Sequence, residues 1–240
     1  MENKIFLLGV GFNNLKIIDV LELIIKGLKK SEEKYYVVTP NPEILVIADS
    51  DPNYKKVLNR AKVALPDGIG IMLASRLLST PLRGRIHGVD LMESLCKEIS
   101  KQPITVGFLG AGPHVAELTA ECLRDKYLGL RINFTETEWD FEKKYPETDI
   151  LFVAFGSPKQ EIWIAENLSR LPVKVAIGVG GAFNFVSGKV RRAPVFVRKL
   201  GFEWLFRLVI EPWRIKRQVR LIKFIYLILM EKMEFRKFDA

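Results

Sequence analysis

The sequence predicts an α/β fold: a doubly wound, mostly parallel sheet of the Rossmann-like kind with helices on both faces, followed by a basic helical appendage at the C-terminus. Five or six short apolar runs alternate with helical periods, the pattern of a parallel sheet built from strand and crossover helix. Glycine, proline and small polar residues recur where a run gives way to a helix. Positive charge gathers at one end: residues 191–240 carry 13 Lys and Arg against 5 Asp and Glu, whereas the first 190 carry 24 against 23.

These totals divide the chain into a core at 1–194 and an appendage at 195–240. With 240 residues, 48% of them hydrophobic, a full core can be buried. A general nucleic-acid binder would carry its basic stripe on the folded body. A balanced body with a cationic tail points instead to an anionic surface. Cys96 and Cys122 are isolated, without CxxC spacing, and fit a reduced cytosolic protein in which both are small core residues. The N-terminal residues lead directly into a strand without a small-residue cleavage site, so no leader is expected. No window approaches the roughly 18 to 20 uninterrupted apolar residues of a membrane span.

The first expected strand covers residues 5–9, and apolar residues at 15, 18, 21, 25 and 28 predict an amphipathic helix. The next strand, 35–39, ends in Thr39-Pro40-Asn41-Pro42-Glu43, where two prolines force a turn before a helix over 42–48. Thr39 and Asn41 thus stand at a strand end, although Asn41 also suits a helix cap. Asp49-Ser50-Asp51 has the spacing of a metal-binding DxD pair, but Pro52 follows it, and capping explains it without a metal.

The central stretch is Leu65-Pro66-Asp67-Gly68-Ile69-Gly70, which joins the run 62–65 to a helix over 69–78. Pro66 and Gly68 stop both elements and leave Asp67 on the turn, either as a reactive carboxylate or as a cap. The loop 81–88 carries Arg83, Arg85 and His87 and suits a phosphate-bearing substrate or plain solvation. A helix over 90–100 and a strand over 103–109 follow. Gly110-Ala111-Gly112-Pro113 then opens the helix 114–127, where glycines admit a phosphate to backbone N–H groups. Val115 stands where a dinucleotide fingerprint needs its third glycine, and neither His87 nor His114 has zinc-ligand spacing around it.

Residues 149–155 form the next strand, followed by Gly156-Ser157-Pro158-Lys159-Gln160-Glu161 and a helix over 161–168. The last strand, 173–177, leads to Gly178-Val179-Gly180-Gly181-Ala182-Phe183, where Gly180 and Gly181 permit close backbone approach. Phe183 offers either a stacking face for a ring such as uracil or a core side chain. From 195 to 233 aromatics alternate with arginines, and Pro212 interrupts the helix. Arg207, Arg214 and Arg217 fall on one side of a helical wheel. Two apolar, basic helices fit a membrane surface; the alternative is that they complete the core or a homo-oligomer contact.

Thr39-Pro40-Asn41-Pro42-Glu43, the hexapeptide around Asp67, Gly156 to Glu161, Gly178-Val179-Gly180-Gly181 and Arg191-Arg192-Ala193-Pro194 together resemble the WecG/TagA/CpsF family of bacterial glycosyltransferases. The resemblance runs from about residue 8 to 213, with a shorter segment at 134–149. It implies an enzyme peripheral to the cytoplasmic face of the cell membrane, with a UDP-sugar donor and a polyprenyl-diphosphate-linked acceptor as partners. In the TagA-like branch, N-acetylmannosamine passes to N-acetylglucosaminyl-diphospho-undecaprenol with inversion, giving the linkage unit of wall teichoic acid. Other branches use the uronic acid or another UDP-sugar. For such a transfer Asp67 is the chosen base, Thr39 and Asn41 would orient the sugars, and Arg83 is one candidate for the counter-charge. Gln160, Gly110, Gly112, Gly180, Gly181 and Phe183 would contact the nucleotide, and Arg214 or Arg217 would reach its diphosphate. The residues themselves give no expectation of a cofactor, a metal site or a nucleic-acid partner, and leave open whether a divalent metal stimulates the enzyme. A nicotinamide oxidoreductase would leave the cationic tail unexplained, and a non-catalytic membrane adaptor would leave the polar strand ends unexplained.

Overall fold

All six strands of the central sheet run parallel, in the order β4-β3-β8-β7-β5-β6. The computed structural model describes residues 4–30 and 33–238; the side chains at 30, 214, 216, 217 and 234–238 lie outside it. The strands are β3 (Tyr35–Val38), β4 (Val63–Ala64), β5 (Thr105–Gly110), β6 (Arg131–Glu136), β7 (Thr148–Ala154) and β8 (Val173–Gly178). The central β3, β7 and β8 read YYVV, TDILFVA and VKVAIG, near-continuous apolar runs suited to a parallel sheet covered on both faces.

One face is covered by α1 (Ile17–Lys30), α5 (Gly88–Ile99), α6 (Val115–Lys126) and the short α8 (Ala182–Val186), with Val20, Leu91, Leu95 and Leu123 in its core. The other is covered by α2 (Pro42–Ser50), α3 (Pro52–Arg60), α4 (Ile69–Leu77) and α7 (Lys159–Asn167), around Leu45, Leu58, Ile71 and Ile164.

Two expectations, the first strand and the burial of Cys122, are corrected, and the capping role of Asp51 is seen directly. Residues 5–9 do not join the main sheet: β1 (Lys4–Leu7) and β2 (Val10–Asn13) form a separate antiparallel hairpin. Leu8 and Gly9 both have positive φ, 51° and 74°, the backbone of a two-residue turn that matches strand twist. Helix α3 follows Asp51, whose carboxylate accepts the N–H groups of Asn53 and Tyr54 at 2.9 and 3.0 Å; Asp49 lies 3.9 Å from Lys55. Cys96 is buried, and burial pushes its thiol pKa up, but Cys122 is exposed rather than core.

The appendage forms α9 (Val195–Leu200), α10 (Glu203–Ile210), a single 3-10 turn at Pro212–Arg214 and α11 (Ile215–Phe238). It is not a detached tail. Phe224 and Ile228 are buried in the second core, and a Cβ built on Gly70 would lie 3.6 Å from Phe224. Glu231 accepts the Leu8 N–H at 3.1 Å, and Lys223 donates to Ser50 Oγ at 3.0 Å. Among the described residues, no helix is long and apolar enough to cross a membrane.

Candidate active site

The turns singled out in the sequence follow β4, β3, β8, β7 and β5, which are consecutive neighbours across the sheet. Parallel strands deliver all five turns to one edge, the carboxyl edge where ligands of open α/β sheets bind. The Asp67 turn is fastened to its neighbours by backbone hydrogen bonds: Leu65 N–H to Val38 O at 2.9 Å, Asp67 N–H to Pro40 O at 3.0 Å, and Ile86 N–H to Pro66 O at 2.8 Å.

Asp67 does not cap α4. That position belongs to Gly68, whose φ of 86° lies in the left-handed region that favours glycine, and the cap makes no side-chain hydrogen bond. The carboxylate instead meets a histidine: His87 Nδ1 lies 2.5 Å from Asp67 Oδ1, with side chains 18% and 23% exposed. On the other side of the ring, Nε2 lies 3.9 Å from Glu203 Oε2. Burial works to lower the His87 pKa, but the charge and hydrogen bond of Asp67, then Glu203 and Asp90, outweigh it and hold the pKa above its ordinary value.

Thr39 is buried and donates to Gly178 O at 3.4 Å, tying the turn after β3 to that after β8. A Cβ on Gly88 would lie 3.1 Å from Val179 O and 3.5 Å from Thr39 Oγ1, so the start of α5 closes over the same point. Asn41 Oδ1 accepts the Ile44 N–H at 3.1 Å and caps α2, which fixes its side chain beside Thr39 and the Pro40 carbonyl that holds Asp67.

At the end of β5, Gly110 has φ 109°, and a Cβ there would fall 2.9 Å from the Ala154 carbonyl carbon, so only glycine fits. A Cβ on Gly112 would stand 3.5 Å from Lys189 Nζ, which brings a cation to this turn. After β7, Gln160 is buried, and its amide is engaged at both ends: Oε1 accepts the Gly180 N–H at 3.0 Å, and Nε2 donates to Glu161 Oε1 at 2.5 Å. Gln160 therefore holds the glycine turn rather than facing a ligand, and the Gly180 N–H is spent on it. Phe183 is also corrected: it is fully buried, edge-on to Phe108 at 5.5 Å, and presents no stacking face.

Charge reaches this edge differently from the sequence expectation. Arg83 is exposed and its N–H is held by Asn14 Oδ1 at 2.7 Å; no hydrogen bond or ion pair among the described residues joins its side chain to Asp67. Arg85 turns to the appendage, donating to the Arg198 carbonyl and, at 3.1 Å, to that of Lys199. The side chains of Arg214 and Arg217 lie outside the described residues. The appendage arginine that reaches a glycine turn is Arg207, 4.8 Å over the Phe185 ring and 3.8 Å from the Cβ position of Gly181.

Sequence reasoning missed the ion pairs that seat the appendage. Arg192 forks onto Asp90 at 2.7 and 2.8 Å and reaches Glu203 at 3.5 Å, and Arg198 lies 3.7 Å from Asp90. Burial pushes the Asp90 pKa up, but the Arg192 fork and charge more than reverse it and leave it below its usual value. The Arg191-Arg192-Ala193-Pro194 motif was the only signal, because Asp90, the residue it forks onto, is 102 residues away in sequence. Together, the edge offers a partly open carboxylate, a buried hydroxyl and two glycine turns with cations beside them. This set can accept a proton from an alcohol and hold a phosphate-bearing group.

Comparison with known proteins agrees. A model of the family described as "Glycosyl transferase WecG/TagA/CpsF family" matches residues 5–238. A Bacillus spizizenii protein named N-acetylglucosaminyldiphosphoundecaprenol N-acetyl-beta-D-mannosaminyltransferase is 36% identical over 201 residues, covering 81% of this chain and 78% of its own. A Staphylococcus aureus protein of the same name is 32% identical over 242 residues, covering 98% of this chain and 95% of its own.

Proposed function

From the premise that the chain belongs to the WecG/TagA/CpsF family of glycosyltransferases, we propose that it moves N-acetylmannosamine from its UDP-linked form to N-acetylglucosaminyl-diphospho-undecaprenol, with inversion at the anomeric carbon. The observation that carries this is Asp67: a carboxylate at a strand end, free of capping and beside Thr39 and Asn41, on the edge where five turns meet. Asp67 accepts the proton of the acceptor hydroxyl as that oxygen bonds to the anomeric carbon and UDP leaves from the opposite face. Thr39 and Asn41 orient the sugars. Gly110, Gly112 and Gly181 give the nucleotide its close approach, and Gln160 acts through the Gly180 turn. Negative charge growing on the departing diphosphate calls for cations. Arg207 beside Gly181 and Lys189 beside Gly112 support that role, for which Arg83, Arg214 and Arg217 were the candidates read from sequence.

The appendage is the membrane-facing part. Ile215, Val219, Ile222, Tyr226, Leu229 and Met233 recur at spacings of four and three along α11, and all are exposed; Trp213 and Val209 are each 71% exposed. Arg220 and Lys223 are exposed on the same helix, a charge that repels a second copy and attracts anionic headgroups. The enzyme thus sits on the inner face of the cytoplasmic membrane, where its lipid-linked acceptor is held.

The test is a transfer assay with a panel of UDP-sugars and a GlcNAc-diphosphate-lipid acceptor, with and without EDTA. UDP release with the N-acetylmannosamine donor in both arms is expected. No release with any donor would remove the reading, and preference for another donor would move the chain to another branch of the family. Changing Trp213 and Ile222 to Glu should abolish sedimentation with anionic vesicles while turnover on a water-soluble acceptor persists.

A further inference from the structure

His87 has no task in the chemistry above, yet it is the side chain that touches Asp67. Its Nδ1 is spent on Asp67 Oδ1 at 2.5 Å, and its Nε2 is turned toward Glu203 Oε2 at 3.9 Å. Nδ1 is thus committed to the carboxylate, while Nε2 faces an acid of the appendage at ion-pair distance. Glu203 stands at the first position of α10, so the second contact comes from the appendage. Resting on the reading of Asp67 as the base, we propose that His87 is a positioning residue. Its Nδ1–H donates to Asp67 Oδ1 and leaves Oδ2 for the acceptor hydroxyl, and Glu203 holds the ring from behind, so that seating the appendage sets the base.

The charged groups around the ring all favour this arrangement. Asp67 lies on the turn before α4, Glu203 on α10 and Asp90 on α5; Arg192 bridges Asp90 and Glu203, Arg198 adds to Asp90 from α9, and Arg85 holds the α9 carbonyls. Two acids, Asp67 and Glu203, face the imidazole directly, and Arg192 ties Glu203 to Asp90 behind it. Without α10, the ring would keep one partner instead of two. A carboxylate whose rotamer is fixed on one oxygen presents the other in a single direction, which is where positioning enters the rate.

The chain has two histidines, so the His87 ring signal can be followed by NMR titration and assigned through its loss in His87→Asn. The midpoint should fall by about one pH unit in Asp67→Asn, where an adjacent opposite charge is removed, and by a smaller step in Glu203→Gln. In turnover, His87→Ala should lower kcat about tenfold with KM nearly unchanged, the signature of lost transition-state geometry. His87→Asn, whose amide N–H can still reach the carboxylate, should recover most of the loss. Wild-type kcat in His87→Ala, or a midpoint unmoved in both acid variants, overturns the proposal. If His87→Ala does not fold, the titrations decide, because they keep the ring in place. Wild-type kcat in Asp67→Asn removes the base reading itself; an inactive Asp67→Asn beside a fully active His87→Ala removes only the positioning role.

Discussion

Asp67 and Glu161 are both acidic residues at strand-to-helix turns on the same edge of the sheet, and they have opposite fates. Asp67 is part-exposed, and one oxygen is bonded to a histidine. Glu161 is sealed: Tyr54 donates to Oε2 at 2.9 Å, and Ser157 and Gln160 donate to Oε1 at 2.7 and 2.5 Å. Burial pushes the Glu161 pKa up, and those hydrogen bonds only partly oppose it. The difference teaches that a carboxylate's role at this edge is set by what surrounds it. An acid with all its lone pairs used inside the protein is architecture, and an acid with an oxygen to spare is available for chemistry.

The sharpest way to break this contrast is at Asp67. Asp67→Asn should cut kcat by roughly 10² to 10⁴ while the urea midpoint stays near wild type, because a general base is lost and no buried group is left unpaired. Near wild-type turnover under saturating substrates would end the distinction. The converse change, Glu161→Ala, should leave the buried Tyr54 hydroxyl without its acceptor and remove one acceptor from Ser157 and Gln160, costing about 3 kcal/mol in urea unfolding. Any residual folded fraction should still turn over. A smaller effect should come from Gly68→Ala. Forcing a Cβ into φ 86° at the Asp67 turn should destabilise by about 1 kcal/mol and lower kcat through the displaced carboxylate.

The smallest effects are in the pH dependence, and their signs differ around the site. Glu161 has a raised folded-state pKa, so its contribution to stability is complete below its ordinary value and lost as pH rises through the folded one. Glu161→Gln should remove that slope in urea melts run from pH 4 to 8. His87 follows the same sign at higher pH: the contact with Asp67 and Glu203 is fully present below about 6.5 and lost as pH climbs through the raised value. Protease sensitivity of α9 and α10 should rise over that window. Asp90 has the opposite sign, its pairing with Arg192 holding above its ordinary pKa and failing as acid is added.

Much of this was legible in the sequence, and the reason differs from element to element. The alternation of apolar runs with helical periods is local, so β3, β5, β7 and β8 and most of the helices between them follow from spacing, whereas α3 and the edge strand β6 do not. Proline and glycine punctuate locally too, which is why the Asp67 turn and the breaks around Pro212 stand out. The hairpin of β1 and β2 did not, because Leu8 at positive φ carries no turn signal of its own.

By itself, then, the sequence determined the class of fold, the turns that gather at the carboxyl edge of the sheet and the cationic end of the chain, since each depends on residues within a few positions of one another. Only the tertiary structure decided which polar side chains were spent and which remained open. It turned Gln160 and Phe183 inward, released Asp67 from capping and brought Arg207 to Gly181. It also joined His87 to Glu203 across 116 residues of chain. Burial and charge pairing are properties of what packs around a group, and residues far apart in sequence do that packing.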